Sequence, residues 1–264
     1  MEKSMISDDY LRLQKRLTGV QEKIRKQADR LWQEQIDEEQ IDREFPVLRQ
    51  LEKPPVTVGA FAEAALLISM SMKENMPALD EDLNRCMNLL EDEKTAYTWM
   101  KHALMYNTGY FQDVSDEHKI AAWLPHFLAE HALRPFLKAV GEHTKGLISS
   151  INAGGVCPCC GEPVRIRKVW DGMNRFQCPR CETDWEPKGA GCAHCGEKKE
   201  GLIIRLTVKE EPGSELEVCG SCKQYVKIVT DLSAEEPAAI LDLLTIHLDY
   251  IAQEEGFDTG DQRR

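Results

Sequence analysis

Four Cys-x-x-Cys pairs lie in the second half of this 264-residue chain. Two cysteines separated by two residues can direct both sulfurs at one ion, and two such turns joined by a β-hairpin complete a tetrahedron. The spacing therefore predicts two sites in which four sulfurs surround a single metal ion. The predicted ligands are Cys157, Cys160, Cys178, Cys181, Cys192, Cys195, Cys219 and Cys222.

The spacing alone does not determine which two of the four pairs bind the same metal ion. Residues 161–177 separate the first two pairs and residues 196–218 the last two, and each stretch contains alternating, strand-like segments typical of a hairpin. Sequential pairing, first with second and third with fourth, is therefore favoured. An interleaved pairing of first with third and second with fourth is also possible.

The metal and its chemistry follow from the donor set. Tetrahedral sulfur ligation suits iron and zinc alike, so the pattern predicts two ions per chain without choosing between them. Four thiolates leave no open position for a hydrolytic water, and no Gly-rich phosphate loop, nucleophile elbow or HExxH motif stands out. We therefore expect no enzyme and no catalytic residue.

Two further cysteines and one histidine could take part in chemistry. Cys159 is a fifth thiol beside the first predicted site, and is either a reactive thiol or a bystander in the turn. Cys86 is expected to be a buried helix residue. His194 lies inside "CAHC" and is expected to be an exposed turn residue, although it could orient a sulfur.

The net charge of the chain indicates which kinds of partner it can bind. The net charge is −12 and the isoelectric point about 5.2, which argues against binding to duplex nucleic acid because phosphate neutralisation needs a basic surface. A small basic strand face, formed by Arg165, Arg167 and Lys168, is expected to be solvated.

The compartment is inferred from the start of the chain and from the cysteines. The first residues contain no apolar core of a secretory signal, and the longest apolar run, "AFAEAALLISM", is short of a membrane span. Paired cysteines in a reducing compartment are more often metal ligands than disulfides. The sequence therefore predicts a cytoplasmic protein without membrane insertion.

The first half of the chain reads as helices. Leu13, Leu17, Val20 and Ile24 begin a stripe with helical spacing, and the paired prolines of "LEKPPVTVG" interrupt it. Further helical segments are predicted at 59–74, 77–90, 93–107 and 116–145, with Pro77 and Ser115 at expected helix starts. Residues 149–155 are the predicted linker.

The second half changes from short β-like runs to a last helix. The capping-box pair Ser233 and Glu236 predicts its start, and Gly256 its end. The predicted fold is α+β multidomain: an all-α N-terminal domain, two rubredoxin-like or zinc-ribbon modules and a C-terminal helix. The predicted boundaries are 1–150, 151–190, 191–232 and 233–264.

The motifs together resemble those of the formate dehydrogenase accessory protein family, FdhE type. The resemblance covers residues 157–257 and rests on "CPCCGEP", "RFQCPRCETDW", "CAHCG", "CGSCKQYVKI" and "DLLTIHLDYIAQEEGF". It implies a helical N-terminal domain, two rubredoxin-like metal modules with the eight ligands named above, and an assembly factor that binds the catalytic subunit of formate dehydrogenase. It also singles out Trp185, Tyr225, Lys227, His247 and Asp249 as partner-surface or packing positions.

Two other functions are compatible with the motifs. A rubredoxin-like electron carrier needs iron, because a four-thiolate iron site is a one-electron centre. A zinc-ribbon nucleic-acid-binding protein fits the modules but not the acidic charge. The oligomeric state is left open.

Overall fold

A computed structural model of the chain describes residues 6–31, 38–208 and 213–258. They fall into two compact units, which are described separately. One unit comprises residues 12–31 and 52–139 of the described chain, and the other residues 6–11, 38–51, 140–208 and 213–258.

The first unit is helical. Its core is built around large, fully buried side chains that include Phe61, Trp99 and Phe111. The rings of Trp99 and Phe111 meet edge to face with centroids 5.5 Å apart. Its helices are α1 (Asp8–Leu31), α2 (Val58–Asn75), α3 (Asp80–Leu90), α4 (Glu93–Leu104), α5 (Thr108–His118) and α6 (Leu124–His143), of which α1 begins and α6 ends outside the unit.

The helix prediction is confirmed for α2 and α4, and also for 77–90, where a 3-10 turn, Pro77–Leu79, begins at Pro77 and continues into α3. It is wrong in one place. The segment 116–145 is not one helix, because α5 ends where Lys119 takes a left-handed φ of 53°. Ser115 lies inside α5 and donates its hydroxyl to the carbonyl of Phe111 at 2.9 Å, so it caps no helix.

The second unit carries the cysteine pairs. Apart from the start of α1 and the end of α6, its helical elements are the 3-10 turns Val47–Gln50 and Leu232–Glu235 and the helices α7 (Lys145–Ile148), α8 (Ala238–Leu244) and α9 (Ile246–Glu254). Its strands are β1 (Ile166–Trp170), β2 (Met173–Gln177), β3 (Asp184–Trp185), β4 (Ile203–Thr207), β5 (Ser214–Cys219) and β6 (Tyr225–Val229).

A single mixed sheet joins the two cysteine modules. Its strand order is β3-β2-β1-β6-β5-β4. The hairpins β1–β2 and β4–β5 are antiparallel, as is the pair β5–β6, while β1 and β6 run parallel with Ile166 opposite Lys227. The α+β class is confirmed, and the parallel β1–β6 pair makes one structural body of two motifs that the sequence presents separately.

The last helices cover one face of this sheet. Leu216, Val218 and Tyr225 on β5 and β6 pack against Leu248 and Ala252 of α9. Farther along, a second cluster joins the sheet to α8 and to the turn before it, and consists of Ile166, Val229, Ala234 and Leu241.

The prediction of a single C-terminal helix that begins with a capping box is wrong. Asp231 caps the 3-10 turn Leu232–Glu235 by accepting from the N–H of Ser233, and α8 begins only after Pro237. The backbone leaves the helical region at Thr245, which separates α8 from α9. Gly256 follows α9 with φ +80°, the left-handed conformation expected of a terminating glycine.

None of the helices in the described ranges has the length and apolar character needed to cross a membrane.

Candidate metal centres

The four Cys-x-x-Cys turns repeat one backbone hydrogen-bond pattern. In the third turn the N–H of Cys192 donates to the carbonyl of Glu197 at 2.8 Å, and the N–H of Gly196 donates back to the carbonyl of Cys192 at 2.9 Å. The same two bonds start from Cys157, Cys178 and Cys219, with N···O distances between 2.6 and 2.9 Å. Each pair is therefore held in a tight knuckle that presents both sulfurs on one side.

The fourth residue after the first cysteine of each knuckle is left-handed. It is Gly161 (φ 80°), Glu182 (φ 57°), Gly196 (φ 74°) or Lys223 (φ 61°). Glycine adopts this conformation without steric cost, whereas a side chain there brings Cβ close to the backbone. Glu182 and Lys223 are therefore held against their local preference by the hydrogen bonds of the knuckle.

The first cluster joins the knuckles on either side of the β1–β2 hairpin. The Sγ atoms of Cys157 and Cys181 are 3.6 Å apart, as are those of Cys160 and Cys178. All four side chains are buried, with exposures between 0 and 6%.

The second cluster joins the knuckles on either side of the β4–β5 hairpin. Here the Sγ–Sγ distances are 3.7 Å for Cys192 and Cys222 and 3.8 Å for Cys195 and Cys219. Burial is incomplete: Cys195 is exposed and Cys222 is partly exposed. The eight cysteines are thus grouped sequentially, as the hairpin interpretation favoured.

These sulfur distances fit an ion and not a disulfide. A disulfide bond measures about 2.05 Å, whereas a tetrahedron with metal–sulfur bonds of about 2.3 Å has edges of about 3.8 Å. Within each cluster the four Sγ atoms lie within 4.8 Å of one another. The donor sets suit zinc or iron.

The electrostatics of the first cluster also favour a cation. Burial raises the pKa of the thiols of Cys157, Cys178 and Cys181 well above the usual value, because a thiolate there loses its hydration. A divalent ion would offset this cost, since metal ligation deprotonates a coordinating thiol.

Neighbouring polar groups point at the sulfurs. The N–H of Arg180 lies 3.4 Å from Sγ of Cys178, and that of His194 lies 3.4 Å from Sγ of Cys192. The hydroxyl of Thr183 lies 3.2 Å from Sγ of Cys181. Such contacts orient sulfur ligands and tune a bound ion.

Backbone from outside the knuckles closes the first cluster. The N–H groups of Val47 and Leu48 donate to the carbonyls of Pro158 and Cys159, at 3.0 and 2.9 Å. Near the end of α6, Gly141 approaches so closely that a methyl group in its place would collide with the Thr183 hydroxyl.

The other residues singled out from the sequence have clear positions. Cys159 is fully buried, and a Cβ on Gly141 would lie only 3.7 Å from its sulfur, which favours the bystander interpretation over a reactive thiol. Cys86 is fully buried in α3, where burial and then Asp82 raise its pKa to about 12. His194 is partly buried, not exposed, with Nε2 lying 3.2 Å from the carbonyl oxygen of Tyr225.

The prediction that Arg165, Arg167 and Lys168 form a solvated basic face is wrong. Lys168 is 7% exposed and donates to the carbonyl of Glu236 at 2.7 Å. Arg165 pairs with Glu162, which sequence inspection had not singled out, at 3.1 Å. Arg167 pairs with Glu217 on β5 at 3.2 Å. These cations are held by the fold.

Three of the five packing or surface positions meet in one network. Lys227 is 1% exposed, and its Nζ lies 2.9 Å from Oδ2 of Asp249 and 2.7 Å from Oδ1 of Asp242. The hydroxyl of Tyr225 donates to Oδ1 of Asp249 at 2.7 Å. Sequence inspection noticed Asp242 only within the helix motif, since no periodicity indicates that a lysine on β6 will face it.

The two remaining positions lie apart from this network. Trp185 packs on Phe176 with ring centroids 5.7 Å apart, in the cluster that also contains Val164 and Val226. His247 is partly buried on α9.

A cleft lies beside the second cluster. Its volume is about 530 Å³, and its walls are the sheet residues Arg167, Phe176, Arg205 and Glu217, the segment 151–156 and the loop 185–196. Segment 151–156 contains most of the predicted linker, and it is ordered: the N–H of Asn152 donates to the carbonyl of Arg43 at 2.6 Å.

Comparison with known proteins gives a consistent set of relatives. No protein-family profile matches the chain. A curated FdhE homologue from Aquifex aeolicus is 30% identical in a match that covers 38% of this chain and 38% of that protein. An FdhE homologue from Shewanella baltica is 24% identical over 94% of this chain and 79% of its own length.

Among solved structures, the FdhE protein from Pseudomonas aeruginosa aligns with 79% of this chain and 94% of its own. The TM-score is 0.42 and the identity 17%. Along nearly its whole length, the chain is similar to curated FdhE homologues, and several of them align with 94% of it.

Proposed function

We propose that this protein is an assembly or maturation factor for formate dehydrogenase, with no catalytic activity of its own. It binds the catalytic subunit of that enzyme in the cytoplasm and supports formation of the active form. The pair of four-cysteine clusters on one sheet carries the proposal, because it occurs in a chain whose FdhE relatives align over 94% of its length.

The proposed ligands are the eight clustered cysteines, with one iron or zinc ion in each set. A bound ion links two knuckles that are otherwise held by short turns, and so stabilises a β-module with a small core. Zinc would supply a redox-inert link, whereas iron would supply a one-electron centre.

The partner is tested by purification from the native organism. The tagged chain should capture the catalytic subunit of a formate dehydrogenase, and metal analysis of the same sample should give two ions per chain. Deleting the gene should lower formate dehydrogenase activity and assembly. Unchanged activity and assembly in the deletion strain would contradict the proposal.

An electron carrier is the second candidate, and the exposure of Cys195 favours it. Electron transfer needs a centre near the surface, and the second cluster has one ligand exposed there. This function requires iron and a reversible change in the visible spectrum. Native protein that contains only zinc and shows no bleachable absorbance would exclude it.

A further inference from the structure

The two four-cysteine clusters differ in their access to solvent. We propose that the second cluster is an exchange centre, which gives up and takes an ion or a ligand through the adjoining cleft, while the first cluster stays closed. The proposal rests on the metal-binding part of the proposed function and not on the formate dehydrogenase partner.

All four cysteines of the first cluster are shielded from solvent. None of its four cysteines is more than 6% exposed. The turn that contains Val47 and Leu48 is hydrogen-bonded over its first knuckle, and Gly141 abuts Thr183 beside its second. A reagent can reach these sulfurs only after these backbone contacts open, and local opening of a packed region is slow and rare.

The second cluster has one exposed and one partly exposed ligand, Cys195 and Cys222. Cys192 and Cys195 also line the 530 Å³ cleft, a volume in the range of small-molecule sites. A ligand in the cleft can therefore approach the cluster without any change in the sheet.

The charged side chains that line the cleft indicate which ligands can enter it. The cleft is lined by four bases, Arg167, Lys188, Lys198 and Arg205, and by two acids, Glu186 and Glu217. The excess of bases offsets the negative charge of a divalent ion held by four thiolates. Arg205 is about half exposed, and Lys198 is exposed. An anionic ligand is therefore not repelled by the loaded site, and thiolates bind the metals that four-cysteine sites hold.

The exchange step is a ligand substitution. An incoming thiolate sulfur forms a bond to the ion as the bond from Sγ of Cys195 breaks, and the released Cys195 thiolate takes a proton from water. No electron is transferred. A second sulfur of the same reagent would then replace Cys222, and a second dithiol molecule would displace Cys192 and Cys219 in the same way, which would free the ion from the chain.

The test uses the full chain, after metal analysis has shown two ions per chain. The probe is 2,3-dimercaptopropane-1-sulfonate, an anionic dithiol, and metal release is followed together with iodoacetamide labelling mapped by mass spectrometry. We expect two phases of one ion each, with rates that differ by about tenfold or more because only the first cluster must open. Labelling in the fast phase should fall on the cysteines of the second cluster.

The concentration dependence and a charge variant test the route. The fast phase should be first order in the dithiol, since the reagent attacks directly. Lys198→Glu should slow it by about two- to fivefold, because it makes the lining of the cleft more negative and so repels the anionic dithiol. Lys199→Glu is the matched control, because Lys199 is exposed but does not line the cleft.

Three results would overturn the inference: equal release from both clusters, a fast rate that saturates at low dithiol, or equal effects of the two lysine variants. Fewer than two ions in the native chain would instead contradict the metal sites of the proposed function.

Discussion

Nζ of Lys227 lies 2.9 Å from Oδ2 of Asp249, and this ion pair fastens helix α9 to strand β6 inside the sheet. Asp242 on α8 completes the contact from the other side at 2.7 Å. The lysine is 1% exposed, so its charge depends on these two carboxylates. The C-terminal helices are thus attached by charge as well as by apolar packing.

Lys227→Met should destabilise the second unit. The substitution leaves two carboxylates facing each other without their cation, and breaking a buried pair costs about 3–5 kcal/mol. Because the two aspartates are 28% and 23% exposed, we expect the lower part of that range. Chemical denaturation of the metal-loaded chain measures this, with the exposed Lys199→Met as control. Equal stability of the two variants would contradict the proposed role of Lys227.

Cys178→Ser should remove one ion of two and loosen both hairpins. The first cluster loses a ligand, and β1 is paired to β6, so disorder in the first module should spread across the sheet. Metal analysis and limited proteolysis test this. The helices of the first unit should stay resistant to the protease, and an intact C-terminal fragment would argue against the prediction.

Cys159→Ser is the matched control for that experiment. It replaces a buried thiol next to the cluster but outside the four sulfurs, so both ions should stay bound. Loss of metal in this variant would mean that the ligand assignment is wrong.

Lys223→Gly should stabilise the second cluster, and Gly196→Ala should weaken it. Both positions are left-handed, which costs a non-glycine residue about 1–2 kcal/mol. A methyl group on Gly196 meets nothing within 4 Å, so its effect would report backbone strain and not crowding. Thermal unfolding of the zinc-loaded variants measures the two opposite shifts, and shifts of the same sign would contradict the strain argument.

Gly141→Ala should weaken the first cluster by about 1–3 kcal/mol, the usual cost of overpacking. The new methyl group would displace the Thr183 hydroxyl from Sγ of Cys181. The double variant with Thr183→Ala removes the collision and should recover part of the loss. Gly146→Ala, which meets nothing within 4 Å, is the control, and metal retention in a chelator is the measurement.

The helical unit should lose stability as the pH falls below about 6.5. His131 is buried, and burial, followed by repulsion from Arg134, lowers its pKa well below the usual value. The unfolded chain then takes up a proton that the folded one does not, so stability is present above the unfolded pKa of about 6.5 and is lost as the pH falls towards the folded pKa, by up to about 1.4 kcal/mol per pH unit.

His131→Gln should flatten this pH dependence, because glutamine does not titrate. Urea denaturation between pH 7 and 5 compares the variant with wild type and with His143→Asn, an exposed histidine. An equal slope in all three proteins would contradict the assignment to His131.

Local patterns predicted the parts of the fold that depend on neighbouring residues. The Cys-x-x-Cys spacing indicated the knuckles, and the apolar stripes indicated α2 and α4. The helix starts predicted at Ser115 and Ser233 were wrong for two reasons. The hydroxyl of Ser115 donates to the preceding turn of its own helix and caps nothing. Ser233 follows Asp231, whose side chain is the cap.

What the sequence determined by itself was the chemistry of the donors: eight thiols in four turns, each able to present two sulfurs, and the residues that resemble those of the FdhE family. Only the tertiary structure decided the parallel β1–β6 pair that unites the modules, the contact of Lys227 with Asp249, and which cluster is covered. The physical reason is the separation along the chain between the residues that interact. A turn is set by bonds within five residues, whereas burial and long-range pairing depend on which distant segments share one core.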